Sequence, residues 1–112
     1  QDMVSASRKV PTCVVIAVAD ESERRHCNAL ATILRRRGIP TDVAPSAAKF
    51  GKQIKFADKR GIPFVWFPGS DGSADTVKDI RSGEQVEADI YSWQPPEDDV
   101  RPAIQPTDET DF

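Results

Sequence analysis

The chain has 112 residues, room for one domain whose core needs neither disulfides nor a metal. Its formal net charge of −3 excludes a molecule that is basic throughout, and no apolar run approaches the roughly 18 residues of a membrane span. The charge is nevertheless segregated. Residues 35–60 carry eight Lys or Arg against Asp42 and Asp58, whereas beyond Gln94 six acidic residues face only Arg101.

Residues 1–11 are polar and aperiodic and read as a linker or frayed start. Residues 12–19, TCVVIAVA, form a continuous β-branched run, the mark of a central strand covered on both faces. Asp20 then offers a cap for a helix over residues 21–37. In that helix Cys27, Leu30, Ala31 and Leu34 recur at i, i+3, i+4, i+7, and Gly38 follows its arginine-rich last turn. Cys13 and Cys27 make no CxxC spacing and both take apolar positions, so two buried, reduced thiols are expected. No signal-peptide pattern is visible, and a reducing cytoplasm is the expected setting.

A short strand over residues 41–44 ends at Pro45. Residues 46–61 read as the second helix, with Ser46 as N-cap and Gly61 closing the C-terminus. At 100° per residue, Ala47, Phe50, Ile54 and Ala57 form a core face. Lys49, Lys52, Lys55 and Lys59 form the opposite face, with Phe56 among them and Gln53 at the boundary. A lysine stripe holding one ring suits a single-stranded polyanion, because ammonium groups meet phosphates while a ring stacks on a base. Lys49 lies in the first turn, where outward N–H groups add to a phosphate seat.

Residues 62–67, IPFVWF, read as a third apolar strand, and PGSDGSAD over residues 68–75 as a loop. Two short strands, 76–81 and 85–88, join around Ser82 and Gly83. The Pro- and acid-rich residues 95–112 should be disordered. The order β-α-β-α-β-β-β describes an α/β fold with right-handed crossovers, three parallel strands and a mixed edge.

Chemistry-bearing groups are few. His26 adjoins Cys27 on a helix, where neighbours point about 100° apart and cannot share a metal or form a nucleophile–base pair. No serine has a partner base in a recognisable motif, and PGSDGSAD lacks the Lys-Ser/Thr of a P-loop. No catalytic, cofactor-binding or metal-binding residue is assigned. Arg81 and Glu84 flank the last hairpin turn, where an arginine could donate to a guanine and a carboxylate accept from an amino group.

The stretch VADESERRHCNALATILRRRGIPTDVAPSAAKFGKQIKFADKRGIPFVWFPG, with VKDIRSGEQV after it, resembles the C-terminal anticodon-binding domain of bacterial histidyl-tRNA synthetase, most strongly the actinobacterial type. The resemblance covers residues 10–93 and implies a three-layer fold, a mixed five-stranded sheet flanked by helices. It further implies one domain at residues 12–94, the anticodon arm of a histidine-specific tRNA as partner, and a separate catalytic domain using ATP and magnesium. The motifs of that catalytic core have no counterpart here, so the chain alone is expected to be a non-catalytic part of a ligase. Lys49, Lys52, Gln53, Lys55, Phe56, Lys59, Arg81 and Glu84 are the expected RNA-binding residues. The acidic tail departs from the family's shorter ending. A protein-interaction module reusing this fold is the alternative, and a nucleotide-binding enzyme using the 68–75 loop is a third reading.

Overall fold

A computed structural model describes residues 11–69 and 72–100. Its strands are β1 (Val14–Ile16), β2 (Thr41–Val43), β3 (Phe64–Phe67), β4 (Thr76–Asp79) and β5 (Gln85–Glu87), and its α-helices are α1 (Arg24–Arg36), α2 (Phe50–Arg60) and α3 (Glu97–Val100). The β-branched run sits at the heart of the sheet, whose order is β2-β1-β3-β4-β5. β1 pairs in parallel with β2 and β3, while β4 and β5 close the sheet antiparallel.

The alternation of β1 divides the core into two layers. Val14, Ile16 and Val18 join Cys27, Leu30, Ala31 and Leu34 under α1, together with Phe64 and Trp66. Val15, Ala17 and Val65 join Ala57 and Ile62 under α2. Helices therefore cover both faces, the three-layer arrangement expected from the strand and helix order. Both cysteines are buried, as expected. Burial pushes the Cys27 thiol above its ordinary pKa.

Asp20 does act as a cap, its Oδ1 accepting from the Ser22 N–H at 2.9 Å, but it opens a 3-10 turn at Glu21–Glu23 from which α1 continues. α2 departs more from expectation. It begins at Phe50, not after Ser46, and its N-cap Lys49 makes no side-chain capping bond. Its C-terminus is as expected: Gly61 is left-handed at φ 74°, and the Ile62 N–H reaches back to the Ala57 carbonyl. Gly69, after β3, is needed for close approach, because a Cβ there would collide with the Ser73 and Ala74 carbonyl oxygens.

The chain beyond Trp93 is not uniformly unstructured. Pro95 is buried, α3 forms, and Asp99 is 9% exposed, its carboxylate bonded to Arg81. As far as Val100, an ion pair and a buried proline hold a segment whose composition alone predicts disorder. Residues 1–10 and 101–112, expected to be a linker and an acidic tail, lie outside the described residues.

Candidate nucleic-acid interface

In an open α/β sheet the carboxyl ends of the parallel strands form the ligand side. Here that rim carries the turn after β1, the loop from β2 into α2, and the first turn of α2. Polar bonds tie these pieces together. The Glu21 carboxylate accepts from Arg24 Nε at 2.7 Å and from the Ala47 N–H at 2.8 Å. Arg24 Nη1 in turn donates to the Ala44 carbonyl at 3.0 Å.

The hydrogen bonds from Arg24 and then from Ala47 pull the Glu21 carboxyl down from about 4.5 to about 2. The folded value lies below the unfolded one. Its stabilising contribution is therefore present above about pH 4.5 and is lost as pH falls toward 2. Accordingly, Glu21→Gln should lower the melting temperature at pH 7, and the gap from the parent chain should close on acid titration to pH ~2. A gap unchanged across that range would show that the carboxylate's charge plays no part.

α2 presents Lys49, Lys52, Lys55 and Lys59 to solvent, as expected. Its inward face differs from the expected one. Gln53 and Ala57 are its buried residues, with Ile54 and Phe56 packed partly against the α2-side core. Phe50, read as a core residue, is 42% exposed and meets Phe67 edge-on at 5.0 Å between centroids. Phe56, read as lying among the lysines, is half-buried, and the Arg60 guanidinium lies 4.5 Å over its ring. The helix is rotated so that Gln53, a polar residue, faces inward and Phe50 looks out past the end of β3. Phe50 is thus the ring of α2 with the freer surface. Phe56→Ala should cost about 2–3 kcal/mol, below the full-burial range, and Phe50→Ala no more than about 1 kcal/mol. Urea denaturation of the two variants checks the order, and a larger cost for Phe50 would restore the phase read from sequence.

Gln53 does not face a base edge. Its side chain is only 3% exposed. Its Oε1 accepts from the Val18 N–H at 2.9 Å, and its Nε2 donates to the Val18 and Ala48 carbonyls at 2.8 and 2.7 Å. An amide with donor and acceptor engaged in the core cannot also read a nucleotide.

Arg81 is likewise committed. It holds Asp99 with two bonds of 2.8 and 2.9 Å and Asp79 with two of 3.1 and 3.2 Å, and it lies 5.3 Å over the Phe64 ring. Asp99 first, then Asp79, raise its pKa, and Arg81 in turn lowers that of Asp79. Glu84 is exposed in the same hairpin. The register Phe64↔Asp79 puts this hairpin at the amino end of β3, whereas Phe50 touches Phe67 at its carboxyl end. Arg81 and Glu84 are therefore not gathered with Lys49 and Lys52. Arginine anchors also hold the C-terminal segment: Arg37 donates to the Ile90 and Trp93 carbonyls at 2.7 and 2.6 Å. This segment lies on the α1 side with Phe64 and Trp93, not over the lysines of α2. No group of three metal-ligating side chains occurs among the described residues. No helix among them is long and apolar enough to cross a membrane.

Sequence reasoning missed the exposed ring of Phe50 and the Glu21–Arg24–Ala47 tie. The Glu21/Arg24 spacing of i, i+3 was the available signal for the second.

Comparison with known proteins places the whole domain in a family. The chain is 57% identical over 105 residues to a histidine–tRNA ligase of Cutibacterium acnes, covering 90% of this chain and 23% of that protein. It is 51% identical to that of Micrococcus luteus over 93% of this chain, again 23% of the relative. It thus spans about a quarter of the length of these curated relatives. The structure resembles histidyl-tRNA synthetase from Nostoc sp. PCC 7120, with TM-score 0.68, 30% identity, and coverage of 72% of this chain and 20% of that one. The RNA-binding domain of threonyl-tRNA synthetase from Cryptosporidium parvum shares the fold at TM-score 0.63 and 17% identity, over 71% of this chain and 21% of that one. Residues 12–92 match the family model described as an anticodon binding domain, so from the first strand to the turn before Trp93 the chain belongs to the anticodon-binding domain family.

Proposed function

We propose that this chain is the tRNA-reading module of a histidine–tRNA ligase, contributing to histidine charging in translation in the cytoplasm. In this reading it grips the anticodon arm of the histidine tRNA, while a catalytic domain elsewhere binds ATP and magnesium and activates the amino acid. The observation that carries it is the exposure of Lys49, Lys52, Lys55 and Lys59 along α2, with the exposed ring of Phe50 in the first turn of the same helix, a turn that has no side-chain cap. Unpaired anticodon bases offer faces to a ring and phosphates to ammonium groups. Lys49 and Lys52 sit with Phe50 at the rim, Lys55 and Lys59 extend the positive track, and Phe50 takes the stacking role first given to Phe56. Arg81 and Glu84 lie outside this patch.

A salt-titrated binding assay tests the proposal, with a histidine anticodon stem–loop and the same hairpin carrying a changed anticodon. The native hairpin should bind at least about tenfold more tightly, with affinity falling steeply as salt rises. Equal, weak binding of both would remove the anticodon reading. Salt-insensitive capture of a protein partner in its place would favour the interaction-module alternative. Pure chain should catalyse no histidine-dependent ATP–pyrophosphate exchange.

A further inference from the structure

The buried amide of Gln53 joins two separate elements of the fold. β1 ends at Ile16, and the Ala17 N–H still finds the Trp66 carbonyl at 2.8 Å. The next buried residue, Val18, is 0% exposed. Its N–H and its C=O both turn to the Gln53 side chain, at 2.9 and 2.8 Å. The amide thus replaces a neighbouring strand at the carboxyl end of the central strand. Its Nε2 also holds the Ala48 carbonyl, immediately before the N-cap Lys49. Glu21 holds the preceding Ala47 N–H at 2.8 Å. The entry into α2 is therefore clamped at two successive residues, while the helix start itself lacks a side-chain cap.

We infer that Gln53 is a positioning residue for RNA recognition: its amide locks the first turn of α2 to the end of β1, and so fixes where Lys49, Phe50 and Lys52 meet the nucleic acid. This rests on the proposal that α2 binds the anticodon arm. The amide carries two donors and an acceptor on one uncharged group, which matches the two carbonyls and one N–H it meets here. Asparagine is a methylene shorter, and methionine matches the shape of glutamine without its polar atoms. The long-range phosphate attraction does not depend on the lock, because lysine charges act at a distance. Base discrimination does, because stacking and edge contacts need a fixed surface.

Gln53→Met and Gln53→Glu in the whole chain test the inference, each confirmed folded by circular dichroism at the assay temperature. Both hairpins are titrated against the parent chain and the variants. Gln53→Met should lose about tenfold in affinity for the histidine hairpin, change less than about twofold for the altered hairpin, and keep its salt slope. A merely structural role would leave the folded variant's discrimination intact or weaken both hairpins equally, and either result overturns the inference. Gln53→Glu gives a second readout that survives a folding defect in the first. A protonated carboxyl donates to one carbonyl and accepts the Val18 N–H, whereas the ionised form only accepts and faces two carbonyl oxygens. Discrimination by this variant should therefore be near the parent's at low pH and fall as pH rises, with the parent flat over the same range. A pH-independent profile matching the parent would overturn the inference. If the parent chain itself fails to prefer the histidine hairpin, the functional reading falls first and the positioning role falls with it. If the parent discriminates and both folded variants do too, only the positioning role falls.

Discussion

Replacing Trp66 by alanine should lower stability by about 3–5 kcal/mol, the largest single loss expected in this domain. The side chain is 0% exposed in the middle of β3. Its ring meets that of Trp93 edge-on at 5.6 Å, and Trp93 meets Phe64 at 5.3 Å. Its indole N–H donates to Asp75 Oδ2 at 2.9 Å, while Asp75 Oδ1 accepts from the Gly69 N–H at 2.7 Å. Alanine would open a cavity in the α1-side core and release one tie on the loop between β3 and β4. For a domain of this size such a loss corresponds to a fall of roughly 15–30 °C in melting temperature. Trp66→Phe should keep most of the ring packing but lose the bond to Asp75, costing about 1–2 kcal/mol. Thermal melts of the two variants check this. Equal, small losses would show that the sheet is not sealed at this position.

The second large effect concerns RNA. Lys49→Ala with Lys52→Ala should weaken hairpin binding by about 25-fold near 0.1 M salt, ~2 kcal/mol. Each lost contact to a single strand should lower the salt slope by about 0.7, so the double variant should lose about 1.4. Both side chains are exposed, so the fold should be unaffected. Phe50→Ala should behave differently. Losing a stacking ring should weaken the native hairpin by about 1–3 kcal/mol while leaving the salt slope as it was. Titrations at several salt concentrations separate the two classes. Lysine variants with an unchanged slope would identify that face as ordinary solvated charge.

The legible parts of this fold were those set by local pattern. The run VVIAV on β1 has apolar residues on both faces, and the structure covers both faces with helices. In α1 the apolar period coincides with burial at Cys27, Leu30, Ala31 and Leu34. α2 was legible as a helix but not in its rotation. Apolarity alone assigns Phe50 inward and leaves Gln53 at the margin. The structure reverses them, because the Gln53 amide finds backbone partners on Val18, 35 residues away in sequence. Long-range polar pairing of this kind leaves no periodic trace. The same holds for Arg81, which reads as an available arginine until Asp99, 18 residues on, is folded against it. The lysines were legible because exposed charge needs no partner to be recognised as exposed.

The measurement that bears most directly on the RNA face is a backbone amide titration of the isotope-labelled chain with the histidine anticodon stem–loop. Perturbations should concentrate on Lys49, Phe50, Lys52 and Lys55, and on the residues tied to that corner, Glu21 and Ala47. The hairpin at Arg81 and Glu84 and the segment of α3 should remain nearly unchanged. Perturbations centred on Arg81, Glu84 and α3, with the first turns of α2 silent, would contradict the assignment and place the RNA at the opposite end of the sheet.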